Sequence, residues 1–294
     1  MAWPTPAAQT RLKRRKWLDR AFHRLMLISA ILVVGSLLLI LGIILGKSLP
    51  ALKISMITRT PGTGYYLGQE GGILNAIVGS LEITTGATLL AIILALPGVI
   101  FLNTYLKKKS ARAEVVRLML DILWGIPSIV YGAFGFLLML TLHLRASLLA
   151  GMVTLALVEL PVLARSVDET MRLVPSELKE ATFSLGASRW QTATRVVLRQ
   201  VFPGLTTAVL IALGRGLGDA ASVLFTAGYT DRLTTSLLQP VATLPLAIFF
   251  QLNSPFPEVQ QRAYASAAIL TLMILAISLA ARFLGRRLGR HRIK

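Results

Sequence analysis

Cysteine is absent from the 294 residues, so no disulfide and no thiolate-ligated zinc or iron–sulfur centre can form. The same absence leaves the redox compartment open. Histidine occurs only as His23, His143 and His291, near different apolar flanks. With no His-Glu-x-x-His run, Ser-His-Asp order or paired-carboxylate setting in view, intramembrane hydrolysis has no support. Acidic residues are few, 13 against 31 Lys and Arg, for a net charge of +18. Charge of either sign is scarce, at 15% of the chain.

What the sequence holds instead is apolar surface. Hydrophobic residues make up 54% of the chain, mean hydropathy is +0.68, and several apolar runs reach the ~20 residues a helix needs to cross a bilayer. The expected fold class is all-α, a polytopic membrane protein with about six transmembrane helices. The spans are expected near 25–46, 73–103, 118–141, 148–167, 202–228 and 263–284. The first run follows the basic stretch RLKRRKWLDRAFHR, is longer than a signal-peptide core, and precedes no small-residue cleavage site. It is therefore read as a retained span.

The basic residues sort by side. Those of the N-terminal segment, of 107–117, of 165–199 and of the C-terminal tail fall on one face of the membrane, while Lys47, Lys53, Arg59, Arg145, Arg232 and Arg262 fall on the other. Arg215 is left inside a span. The positive-inside rule places both termini in the cytoplasm. Topology thus accounts for the charge. Nucleic-acid binding would need a basic soluble face with stacking aromatics, and none is formed.

Between spans four and five lies a cytoplasmic segment too long for a turn. It reads as a helix from Pro175, a break at Gly186-Ala187-Ser188, and a second helix through Trp190, Val196 and Leu198. Phe183, Leu185 and Trp190 give it apolar surface and Glu177, Lys179 and Arg189 keep it wet. Such a unit fits a groove on another protein or lies on lipid headgroups.

EATFSLGASRWQTATRVVL, Glu180 to Leu198, resembles the EAA loop of bacterial ABC-importer permeases, in which EAA, three residues, Gly and nine residues precede I-x-L-P. Glu180, Ala181, Gly186 and Leu198 match at the family's offsets. Thr182 replaces the second Ala, Val196 replaces Ile, and Arg199 stands where Pro is usual. DILWGIPSIVYGAFGF (121–136), ELPVLARSVDETMRLVP (159–175), GRGLGDAASVLFTAG (214–228) and SLLQPVATLPLAIFFQLNSPF (236–256) are together similar to the phosphate importer's permeases, and to the PstA type among them. The family usually has Gly-Glu-Thr where this chain has Gly218-Asp219-Ala220.

The resemblance runs from about 72 to 287. Together with the spans and the basic flanks, it divides the chain into a basic cytoplasmic segment (1–24), a first helix with an outer loop (25–71), a permease core (72–284) whose coupling loop is 175–200, and a basic tail (285–294). It also implies a substrate, inorganic phosphate, moved by alternating access. Implied partners are a homologous PstC-type permease, a PstB-type ATPase dimer and a PstS-type phosphate-binding protein, in the lipid of the cytoplasmic (inner) membrane. Glu180, Ala181, Gly186, Ala187 and Leu198 would seat in the ATPase. No cofactor or metal is implied. GIILGKS (42–48) is one residue short of a phosphate-binding loop, follows no strand, and lies at the outer end of the first span, so ATP hydrolysis belongs to a separate subunit. A permease for another oxyanion and a scaffold that moves nothing are the alternative readings.

Arg215 carries the site argument. An intramembrane arginine costs roughly 2.5–3.5 kcal/mol on insertion scales. On a continuous helix Asp219 would share its face, about 6 Å along the axis. The two would either neutralise each other or line a path. Gly214, Gly216 and Gly218 strip bulk from this turn, and the resemblance, with the default for intramembrane ions, favours the path. A guanidinium fork matches phosphate oxygens, while a nearby carboxylate prevents a tight trap and can accept a hydrogen bond from the acidic proton of hydrogen phosphate, which sulfate cannot supply. Arg165, at the cytoplasmic end of span four, is either a third pathway residue or a snorkelling helix-end arginine. Asp121 is expected at the start of span three as a helix N-terminal charge.

Overall fold

The computed structural model describes residues 6–67, 71–106 and 110–288. Lys107, Lys108 and Lys109, and the basic tail from Gly289 onward, lie outside the described residues.

Two long helices begin and end the described residues. The first, α1 (Pro6–Ser48), exposes its apolar side chains, with Leu32 at 67% and Leu38 at 62%. Only hydrocarbon can cover such a surface, and 34 of its residues meet the criteria of a span. α1 packs on α11 (Pro257–Leu288). There Lys47 Nζ lies 4.8 Å from the centre of the Tyr264 ring, an attraction to the ring's negative face.

The loop after α1 contains the short α2 (Ile54–Thr58) and a 3₁₀ turn (Tyr65–Leu67). The bundle proper is built on α3 (Leu74–Thr104) and α6 (Leu148–Arg172), which form the most extensive helix pair. Ala87, Ala91 and Ala95 recur every four residues on α3 and are almost fully buried. This stripe of small side chains lets the two backbones approach, the usual device where lipid provides no hydrophobic drive. α9 (Leu198–Gly218) leans on α3 and α6, and α11 leans on α9.

Two spans depart from the sequence expectation. The third, expected as one helix over 118–141, is a pair, α4 (Ala111–Gly125) and α5 (Ser128–Thr141), bent by 94°. Pro127 is the cause: it lacks an N–H and its ring collides with the carbonyl four residues back. That carbonyl, of Leu123, is taken up by the Tyr131 hydroxyl at 2.8 Å. Pro97 and Pro161, by contrast, lie within continuous helices. Because α4 begins at Ala111 with Ser110 as its cap, Asp121 is not an N-terminal charge but sits late in α4.

The fifth span ends at Gly218 rather than near 228. Asp219 leaves the helix with φ −86° and ψ 113°, and its Oδ1 accepts the Ser222 N–H at 3.1 Å, which starts a run of turns. The chain passes Gly228 at φ +73° and returns. Carbonyls of Gln239 and Leu237 accept the Leu148 and Leu149 N–H groups, both at 2.8 Å, so the loop satisfies donors that the first turn of α6 cannot. α10 (Leu244–Leu252) follows.

Candidate functional site

Arg215 occupies the last turn of α9, is exposed, and makes no ion pair within 4.0 Å among the described residues. The expected shared face with Asp219 does not exist, because the helix has ended and Asp219 is extended. Its carboxylate serves the backbone of the next turn instead. A short carboxylate side chain suits such a turn.

Behind Arg215, the opposite side of the same turn is closed. Gly216 lies directly against Glu159 Oε1 of α6 and the Thr84 methyl of α3. Glu159 is fully buried; its Oε2 accepts the Thr88 hydroxyl at 2.7 Å, while Oε1 and Thr84 Oγ1 have no hydrogen-bond partner. Sequence alone does not place Glu159 here, since the contact joins three helices far apart in the chain. The three glycines also divide: Gly214 has open space where a Cβ would be, Gly218 only a loose contact with Ile274, and Gly216 is packed solid.

Arg165 is elsewhere. Six residues beyond Glu159 on α6, it lies about 9 Å further along the axis. Its Nε stands 3.2 Å from Asp121 Oδ1 and 3.3 Å from Glu169 Oε1, and its Nη1 4.0 Å from Asp168 Oδ2. The structure therefore does not bring Arg165 to Arg215, and it answers the charge of Arg165 with carboxylates. Asp168 went unmarked by sequence reading; its i+3 spacing from Arg165 was the available signal.

The segment between α6 and α9 forms the helix-break-helix its pattern predicts. α7 (Ser176–Ser184) is followed by Gly186 at φ +79°, a left-handed conformation that favours glycine. Nothing lies within 4 Å of a Cβ there, so backbone conformation rather than space requires the glycine. Ser188 and Gln191 close a reciprocal capping box on α8 (Arg189–Gln191). A wide π turn, Thr192–Val197, leads into α9. Glu180, Ala181 and Gly186 are exposed and Ala187 is half-buried, whereas Leu198 packs into the core beside Val197 and Val201. Leu185 at 88%, Trp190 at 60% and Phe183 at 44% exposure form an apolar face left uncovered by the described residues, the mark of a contact surface.

The model of the family described as "Binding-protein-dependent transport system inner membrane component" matches residues 87–294. A phosphate transport system permease protein PstA from Xylella fastidiosa (strain Temecula1) is 35% identical over 284 residues, covering 95% of this chain and 96% of that protein. One from Haemophilus influenzae is 34% identical over 269 residues, covering 90% and 93%. Among solved structures, a bacterial alginate ABC transporter in complex with an alginate-bound periplasmic protein aligns with TM-score 0.61 at 16% identity, over 95% of this chain and 98% of that one. The inward-facing MetNI methionine ABC transporter aligns with TM-score 0.58 at 20% identity, over 73% and 95%. At such identities the structures establish the permease fold.

Proposed function

The chain belongs to the family of binding-protein-dependent transport system inner membrane components, and from that premise we propose that it is the membrane-spanning permease subunit of an ATP-driven importer of inorganic phosphate. It is a transporter component and not an ATPase. The relatives' substrate supports phosphate. The observation that carries the site is Arg215, exposed on a span with no counter-ion within 4.0 Å among the described residues. Lipid is a costly neighbour for a guanidinium, so this face turns to a partner permease and an aqueous route between them.

There the guanidinium fork meets the phosphate oxygens. Asp219, one oxygen committed to the Ser222 N–H, offers the other to the proton of hydrogen phosphate and weakens retention enough for release. Arg165, already held by carboxylates, acts at the inner end of the route as part of a gate. The exposed face of α7 and α8, with Glu180, Ala181, Gly186 and Ala187, docks on a PstB-type ATPase, and Leu198 ties that segment to the bundle. A PstC-type permease completes the path and a PstS-type protein delivers phosphate. The membrane is the cytoplasmic (inner) one, with both termini inside. ATP-driven closure of the ATPase dimer moves the docked segment, and the bundle alternates between outward and inward opening.

The test is a pair of variants. Arg215→Gln should abolish phosphate uptake in vesicles while the complex still assembles, and adding Asp219→Asn should not restore it. Uptake near the parent rate in the double variant would leave a merely structural role for both.

A further inference from the structure

A second charge cluster lies where α3, α4, α6 and α7 meet, and the site above does not use it. Its centre is Asp168, fully buried. Arg117 of α4 grips it with two bonds, Nε to Oδ2 at 2.9 Å and Nη2 to Oδ1 at 3.2 Å, and Asn103 of α3 donates to Oδ1 at 2.7 Å. Arg165 stands 4.0 Å from Oδ2 and reaches across to Asp121 of α4. The carbonyl of Asn103 in turn accepts Lys179 Nζ of α7 at 3.4 Å. One carboxylate thus ties three helices, and its nearest neighbour ties the fourth.

Burying a carboxylate costs several kcal/mol unless its lone pairs are fully used, and packed apolar side chains serve stability as well or better. What such a cluster adds is a fixed register between the elements it joins. α4 shows what the register controls. The middle of this helix is held at Asp168 by Arg117; its C-terminal end meets the 94° bend, where the Tyr131 hydroxyl of α5 holds the Leu123 carbonyl of α4 at 2.8 Å. α5 then lies against the turns that follow Asp219: a Cβ on Gly132 would come 2.7 Å from the Ala221 carbonyl oxygen and 3.0 Å from that of Ser222. Packed side chains and hydrogen bonds therefore connect α7 to the backbone that carries Asp219.

We propose that Asp168 is a positioning residue: with Arg117 and Asn103 it forms the joint that passes movement of α7 to α4, and through the α4–α5 bend to the turn bearing Asp219. This rests on the ATPase-docking role proposed above for α7 and α8. A joint of this kind couples hydrolysis to transport, so breaking it uncouples the two and need not stop either partner from assembling.

The experiment measures phosphate imported per ATP hydrolysed, in proteoliposomes holding the whole complex with its phosphate-binding protein. Asp168→Asn keeps the shape and removes the charge; Arg117→Lys keeps the charge and removes the two-pronged grip; Asn103→Ala removes the link to α3. The expected result is stimulated hydrolysis within about twofold of the parent and a ratio of phosphate to ATP at least tenfold lower, in Arg117→Lys and Asn103→Ala even if Asp168→Asn fails to assemble. A role in stability alone would lower uptake and hydrolysis together and leave the ratio unchanged, and that outcome overturns the joint. Failure of the transport reading would show in the parent complex; failure of the joint shows only as parity between variant and parent.

Discussion

Gly216 sets the tolerance of the turn that presents Arg215. A methyl group there meets the Glu159 carboxyl and the Thr84 side chain, and overpacking of this kind costs about 1–3 kcal/mol. Gly216→Ala should lower the unfolding temperature of the purified protein and cut uptake severalfold, whereas Gly214→Ala, with open space at its Cβ, should leave the unfolding temperature unchanged. In the loop after α1, burial pushes the Tyr65 phenol up to about 12. A raised folded-state value means that its contribution to stability is full below pH 10 and is lost as pH rises toward 12. Tyr65→Phe should flatten that alkaline loss in thermal melts between about pH 10 and 12. Its hydroxyl is buried without a hydrogen-bond partner, so the substitution should cost little at neutral pH. Arg215 was legible because a charge in an apolar run must be explained. The pairing with Asp219 was not, since it assumed a helix that the Gly218-Asp219 cap terminates. Glu159 against Gly216 and Asp168 against Arg117 are contacts between distant segments, and spacing along one helix cannot show them.

Among the elements, the α7–Gly186–α8 unit is the one whose form followed from local chemistry, because its glycine, capping box and amphipathic surface lie within a few turns of chain. Its conformation gives a discriminating pair of substitutions. Gly186→Ala forces a Cβ into left-handed backbone at about 1–2 kcal/mol, with no clash in space, while Asn tolerates that region better. Gly186→Ala should weaken copurification of the ATPase subunit and binding-protein-stimulated hydrolysis, and Gly186→Asn should retain more of both. Equal loss in the two would mean that the side chain, not the backbone, is read. The bend between α4 and α5 was hidden for the opposite reason. Both halves are apolar, so no change of period marks the break, and Pro127 alone does not distinguish a kink from a 94° turn when Pro97 and Pro161 sit in unbroken helices. Removing the Tyr131 hydroxyl with Phe should loosen the bend by about 1 kcal/mol, read as faster hydrogen exchange over α4.

For the molecule as a whole, the apolar runs give the crossings, five helices and the bent pair α4–α5 among the described residues, and the sorting of basic residues sets an expectation for orientation, because both follow from the bilayer and not from tertiary contacts. Orientation is open to direct labelling in a chain that has no cysteine of its own. Cysteines placed at the exposed Thr63 and Asn253 should react with an impermeant reagent from outside, and one at Ser188 only after permeabilisation. Reaction of Ser188 from outside would reverse the bundle and remove the ATPase from α7. The central claim is that this chain conducts phosphate, and the direct measurement is uptake of labelled phosphate into proteoliposomes containing it with its partner permease, ATPase and phosphate-binding protein. Uptake should require ATP, stop with Arg215→Gln, and resist competition by excess sulfate. ATP-dependent hydrolysis in an assembled parent complex that moves no phosphate, or uptake undiminished by Arg215→Gln, would contradict the account.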